Sequence, residues 1–303
     1  MIRRAMILAA ALWAAAAVAH GPAQAAEAAK VLFGAKPAPA DLASRAIGFY
    51  SRGCLAGAVA MPVVGPHWQA MRLSRNRNWG HPALIAFLRD LATQAAARDG
   101  WPGLLIGDMS QPRGGPMLTG HASHQVGLDA DIWLTPMPGR VLSARERENM
   151  APVPLTEPGP HEVDPAVWSE AHLRLIRRAA SDPRVERIFV APGIKKKLCE
   201  TATGARGWLS KVRPYWGHNY HMHVRLGCPP GAAGCRGQSA PPKGDGCGKE
   251  LAWWYTAEPY RPAKPGGKKP RPITLADLPD ACRAVLAAPA RPGALTARQA
   301  LAE

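Results

Sequence analysis

The chain alternates between stretches whose apolar residues recur at helical spacing and short runs that are continuously apolar or alternate with polar residues. Between residues 81 and 97, Leu84, Ile85, Leu88, Leu91 and Ala95 share one helical face, with Pro82 near the start and Gly100 just past the end. That pattern predicts a helix. Asp164-Pro165 sets a capping side chain before a proline at the first helical position, which predicts a second helix reaching Ala180. Residues 104–106, 129–134, 185–190 and 221–226 are short runs of strand character, whereas 107–120, rich in Gly and Pro, read as loop. Strands interleaved with helices predict an α+β fold, a small antiparallel sheet flanked by helices. No internal repeat interrupts this pattern.

The two ends of the chain differ from the middle. Arg3 and Arg4 precede an apolar run over residues 5–19, and Ala23-Gln24-Ala25 follows as a small-residue cleavage site. This is the anatomy of a secretory signal peptide over residues 1–25, too short to span a bilayer, so no membrane anchor is expected after cleavage. Residues 26–258 then form the folded domain. Residues 259–303 begin with a Pro-, Lys- and Gly-rich stretch of little packing capacity, and Cys282 is expected to pin this tail to the body.

Composition adds a compartment. The six cysteines, Cys54, Cys199, Cys228, Cys235, Cys247 and Cys282, form no CxxC knuckles. In an exported chain an even count reads as three disulfides, with about 15 connectivities open. The formal charge of +16 would suggest nucleic acid in a cytosolic protein. Export and the scatter of the basic residues weaken that reading, leaving it a distant third, and favour an anionic extracytoplasmic polymer such as the cell wall.

The candidate chemistry lies in two histidine-bearing segments. In HNYHMHVRL, His221, His223 and Arg225 fall on one strand face, because side chains alternate along a strand. In HASHQVGLDADIW, His124 is followed by Asp131, a carboxylate inside an apolar strand that is costly unless paired or metal-bound. Asp129 shares its face, and spacing does not choose between the two acids. Two imidazoles and a carboxylate suit zinc, which leaves one position open in catalytic sites. No H-E-x-x-H helix supplies a glutamate base, and no S-x-x-K serine nucleophile is present.

The segments GDMSQPRGGPMLTGHASHQVGLDADIW and KVRPYWGHNYHMHVRLGCP, with RNWGHPALIAF, RIFVAPGIKKKLC and PPKGDGCGKEL, resemble the penicillin-insensitive murein endopeptidase family. That family belongs to the zinc peptidase group of lysostaphin, the D-Ala-D-Ala carboxypeptidases and hedgehog. The likeness spans residues 53–282. It implies Zn2+ on His124, Asp131 and His223, with His221 acting on the catalytic water or the oxyanion. It also implies disulfides Cys54–Cys282, Cys199–Cys247 and Cys228–Cys235, and hydrolysis of D-alanyl–meso-diaminopimelyl cross-links of peptidoglycan in the periplasm. His121 matches a family histidine near the metal. His161 lies where the family can carry a second aspartate–histidine metal pair, but Pro158 replaces the acid there, leaving Glu157 or Glu162 to compensate.

Arg213 and Arg225 are candidates to grip stem-peptide carboxylates, His218 is a substrate-side or structural residue, and Trp79, Trp133 and Trp216 are candidates to line the cleft. The competing functions are a D,D- or L,D-carboxypeptidase and a non-catalytic cell-wall-binding module.

Overall fold

The structure, a computed structural model, describes residues 26–262, 266 and 271–302. The expected signal peptide and part of the Lys-rich stretch lie outside them. In chain order the elements are α1 (Ala29–Gly34), β1 (Arg45–Phe49), β2 (Arg52–Ala56), β3 (Val59–Ala60), β4 (Val64–Gly65), β5 (Trp68–Ala70), β6 (Trp79–Gly80), α2 (Pro82–Arg98), β7 (Leu104–Ile106) and β8 (Asp129–Trp133). They continue with α3 (Ala144–Asn149), α4 (Glu170–Ser181), β9 (Val185–Val190), α5 (Pro192–Thr201), β10 (Val212–Pro214), β11 (His221–Leu226), α6 (Lys249–Trp253), α7 (Ala281–Ala287) and α8 (Ala297–Ala302). Among the described residues no helix is long and apolar enough to cross a membrane.

The α+β class is as expected. The main sheet has seven strands in the order β10-β9-β11-β8-β7-β5-β4. Its pairings are antiparallel except β10 with β9 and β5 with β7, which are parallel. At its centre β8 and β11 run antiparallel, setting His221 opposite Trp133, His223 opposite Asp131 and Arg225 opposite Asp129. Alternation then divides the two faces. Ala130, Ile132, Met222 and Val224 join Ile188 and Val190 of β9 in the main core, with Leu84, Leu88 and Leu91 of α2 and Leu175 and Ile176 of α4. The opposite face carries the polar residues.

Helix α2 starts and stops as its pattern predicts. The His81 ring accepts from the Ala83 N–H at 3.2 Å and Pro82 fills the first turn, while Gly100 takes the left-handed backbone just beyond the end at φ +68°. Helix α4 begins later than predicted. Asp164 does cap, its Oδ1 accepting from Ala166 N–H at 2.8 Å, but it caps a single isolated turn. The helix restarts at Ser169, whose backbone N–H donates to His172 Nδ1 at 3.0 Å.

The C-terminal residues are tied firmly to the body. Leu278, Val285 and Leu286 pack with Phe33 and Ile47 in a second core, and Cys282 bonds Cys54. Arg113 reaches from the 107–128 loop to the end of α7 and donates to the carbonyls of Val285 and Ala288, both at 2.7 Å. A cation on terminal carbonyls satisfies groups the helix leaves open. The other disulfides are Cys199–Cys247 and Cys228–Cys235, so all three pairs are those the resemblance implied.

These bridges should differ in weight. Cys54–Cys282 spans 228 positions and Cys228–Cys235 only 7, and loop-closure entropy favours the longer by roughly 5 against 2.5 kcal/mol. Urea unfolding of Cys54→Ala/Cys282→Ala and of Cys228→Ala/Cys235→Ala is expected to show the larger loss of stability in the first.

Candidate metal centre and active site

The polar face of β8 and β11 meets the 107–128 loop at a cluster of imidazoles around one carboxylate. Asp131 Oδ1 lies 3.4 Å from His124 Nε2, 3.2 Å from His223 Nδ1 and 3.6 Å from His221 Nε2. Asp131 Oδ2 lies 3.5 Å from His121 Nδ1. Donor atoms of His121, His124 and Asp131 all fall within 4.8 Å of one another, the one such grouping of three or more among the described residues. Four of the histidines singled out in the sequence therefore converge on Asp131.

Within the cluster, Asp131 Oδ1 and both nitrogens of His124 are buried without a hydrogen-bond partner, as are the outward nitrogens His221 Nδ1 and His223 Nε2. A buried polar atom left unpaired costs about 1–3 kcal/mol. His124 moreover sits in left-handed backbone at φ 67°, a conformation that carries strain in a non-glycine residue. Imidazole nitrogens and a carboxylate oxygen facing one another in a buried pocket fit a zinc-type cation, which would take up their lone pairs.

Asp129, the rival acid, is committed elsewhere. Its Oδ1 accepts from Arg225 Nε at 2.8 Å and its Oδ2 from Arg225 Nη2 at 3.2 Å and from the His124 backbone N–H at 2.9 Å. Its Oδ1 also faces His223 Nε2 at 3.3 Å. Arg225 is thus held by Asp129 while also lining the larger of the clefts beside the cluster. It is 6% exposed, Nη1 donates to Gln238 at 3.0 Å, and the guanidinium stacks 4.0 Å from the Tyr50 ring centre.

Asp108 is the site residue the sequence reading missed. It lies two residues beyond the end of buried strand β7, and its Oδ2 lies 2.9 Å from His121 Nε2. Arg77 and Arg75 donate to the same oxygen at 2.7 and 3.0 Å. His121 and His223 are therefore built alike, with one ring nitrogen toward Asp131 and the other toward an outer carboxylate. That arrangement orients a ligating imidazole. A Gly-Asp step closing an apolar strand was the available signal.

Electrostatics separates the groups. Burial would raise the Asp131, Asp129 and Asp108 carboxyls, but the surrounding imidazoles and guanidiniums outweigh it and hold all three below the usual carboxylate range. Burial lowers His124 and His221, against the pull of Asp131, which favours their neutral forms. Burial opposes charge on His223 too, but Asp129 and Asp131 prevail and push it up to about 9. His218 is pushed down to about 3 by burial, then by His221 and His223, and its Nδ1 lies 2.5 Å from the Trp216 carbonyl.

Two clefts open on the cluster and share His121. The larger, about 390 Å³, runs past Tyr50, Phe189, Tyr215, His218 and His223. The smaller, about 110 Å³, is bounded by Arg75, Asp108, Trp133, Tyr220 and His221. Of the three tryptophans, only Trp133 lines these clefts. Trp79 is buried with Leu55 and Ala58, and Trp216 is exposed beside them. Arg213 pairs with Glu250 at 2.8 Å. His161 stands apart from the cluster, its Nε2 3.1 Å from the Trp254 carbonyl and 3.0 Å from the Tyr260 hydroxyl, and Glu162 binds Lys196 instead.

Comparison with known proteins agrees with this geometry. Residues 46–287 match the family model described as penicillin-insensitive murein endopeptidase. The penicillin-insensitive murein endopeptidase of Haemophilus influenzae is 44% identical over 257 residues, covering 84% of this chain and 87% of the relative. Those of Klebsiella pneumoniae and Escherichia coli are each 44% identical over 248 residues, covering 82% of this chain and 88% of theirs. With a family model covering most of the folded body and relatives alike along nearly their whole length, the chain belongs to the penicillin-insensitive murein endopeptidase family.

Proposed function

We propose that this protein is a zinc-dependent murein endopeptidase that hydrolyses D-alanyl–meso-diaminopimelyl cross-links of peptidoglycan in the periplasm. The observation that carries the reading is the convergence of four imidazoles on Asp131, whose Oδ1 and the ring of His124 are buried without a partner, at a centre open to clefts on two sides. A bond inside a chain needs room for both arms of its substrate. A binding module has no use for strained, unsatisfied imidazoles.

In this reading His124, Asp131 and His223 hold the ion, and His121 is an auxiliary donor braced by Asp108. When bound, zinc supplies Lewis acidity and lowers the pKa of a coordinated water to about 7. His221 is the proton carrier. Its Nε2 faces the cluster, and burial keeps the ring neutral and able to accept a proton. Once protonated, the same ring donates a hydrogen bond to the charge that develops on the scissile carbonyl oxygen. The 390 Å³ cleft offers one arm a wall of Tyr50, Phe189 and Tyr215. Catalysis needs no acylated serine, which accounts for insensitivity to penicillin in such an enzyme.

Muropeptide chromatography of sacculi digested with the mature protein is expected to show cross-linked dimers converted to monomers, stopped by chelator and restored by zinc. Release of terminal alanine with dimers intact would instead establish a carboxypeptidase. Unchanged sacculi despite bound metal would establish a binding module.

His223→Ala is expected to lose metal and activity together. His221→Ala should retain most of the metal yet lose about 10²–10⁴-fold in kcat, the usual weight of a general acid–base group. Metal analysis of both variants, read beside their rates, checks the division of roles, and equal metal loss would place His221 among the ligands.

A further inference from the structure

The five most exposed aromatic residues among the described residues form one patch. Tyr215, Trp216, Trp253, Tyr255 and Tyr260 are each 37–46% exposed. Ring contacts join three of them through buried Trp254: Tyr215 to Trp216 at 5.0 Å, Trp216 to Trp254 at 4.7 Å, and Trp254 to Trp253 at 5.1 Å; His161 Nε2, 3.1 Å from the Trp254 carbonyl, links these to the other two. His161 knits in the other end, 5.0 Å from the Tyr255 ring and 5.2 Å from that of Tyr260. The patch is fixed in place. Trp216 Nε1 donates to the Pro259 carbonyl at 3.1 Å and the Tyr255 hydroxyl to the His161 carbonyl at 2.8 Å. At its near end Tyr215 lies 5.6 Å from His218, and both line the larger cleft.

We infer that this patch is a carbohydrate platform that binds the glycan strand of the same peptidoglycan whose peptide enters the cleft, an inference resting on the endopeptidase reading. Clustered exposed aromatic surface marks an interaction site. The rings meet edge to face, so the patch presents stepped ring faces and edges rather than one flat apolar sheet. The C–H faces of pyranose rings lie well on such π faces, while hydroxyl and N-acetyl groups stay in water. Among the described residues nearby, Lys196 pairs with Glu162 at 2.6 Å and Arg261 with Glu258 at 2.8 Å. Continuity with the cleft selects the occupant, because peptide and glycan are covalently joined in this polymer. His161 is thereby given a use: it braces the platform.

The test compares wild type, Trp253→Ala and Trp253→Phe on three probes: peptide-free glycan strands, intact sacculi, and a cross-linked peptide dimer stripped of sugar. Glycan strands are expected to change the tryptophan fluorescence of the wild type. Trp253→Ala should bind glycan and sacculi about 3- to 10-fold more weakly, the worth of one aromatic contact, with Trp253→Phe in between. Cleavage of the sugar-free dimer, which does not reach Trp253, should be the same in all three. Unaltered glycan binding, or an equal loss on dimer and sacculi, would overturn the platform. So would a wild-type dimer in sedimentation that Trp253→Ala separates, since a second copy would then be the occupant. A wild type that binds glycan through Trp253 but leaves every cross-link intact would uphold the platform and overturn the endopeptidase.

Discussion

The buried pair of Asp129 and Arg225 is the constraint on which the rest of the site depends. The two residues face each other across β8 and β11, so their double hydrogen bond fixes the register of the strands that carry Asp131, His221 and His223. A slip of one residue would turn every one of these side chains to the apolar face. The same carboxylate receives the backbone N–H of His124 and faces the ring of His223. One charge thus ties two strands and a loop to a common point. Such a pair is not a source of net stability, but losing one member strands a buried charge at about 3–5 kcal/mol. Its contribution is to make a single arrangement of the cluster much better than its alternatives.

Much of this was legible in the sequence because strand alternation is a local rule. His221, His223 and Arg225 share a face by spacing alone, and so do Asp129 and Asp131. The choice between the two acids was not legible from spacing. It depends on Arg225, which lies 96 positions from Asp129, and the family resemblance was needed to favour Asp131. Asp108 escaped notice for a related reason: a loop has no period, and its partners Arg75, Arg77 and His121 come from two separate segments. Strands β4, β5 and β10 are two or three residues long, too short for a pattern. Asp164-Pro165 was a true cap for a turn that did not propagate.

Buried cations were the other blind spot. Composition places arginine at the surface, yet Arg147 is fully buried. It donates to the carbonyls of Leu142, Val63 and Ala70, each at 2.9 Å, and to Gln69 at 2.6 Å. Arg113 serves the end of α7 in the same way. Both guanidiniums use several fixed donors to satisfy backbone groups of irregular segments, a task for which lysine lacks the planar fork. Because Arg113 lies in the loop that also bears His121 and His124, α7 and its bridge to Cys54 anchor the loop that carries two of the clustered imidazoles.

The placement of charge explains why four imidazoles can crowd one carboxylate. Asp108 and Asp129 would each draw protons onto the histidines if left free, and a protonated ring cannot ligate a metal. Arg75 and Arg77 bind Asp108, and Arg225 binds Asp129, although Asp129 still draws a proton onto His223. The outer carboxylates still orient the rings of His121 and His223, but much of their field is spent on the guanidiniums. His124 and His221, which touch neither outer carboxylate through their rings, are held toward the neutral form by burial. His223, wedged between both aspartates, retains the strongest hold on a proton, so a cation entering the site must displace that proton as well as water. In the proposed reading, affinity for metal and affinity for protons are opposed most directly at His223, while burial holds His221 neutral.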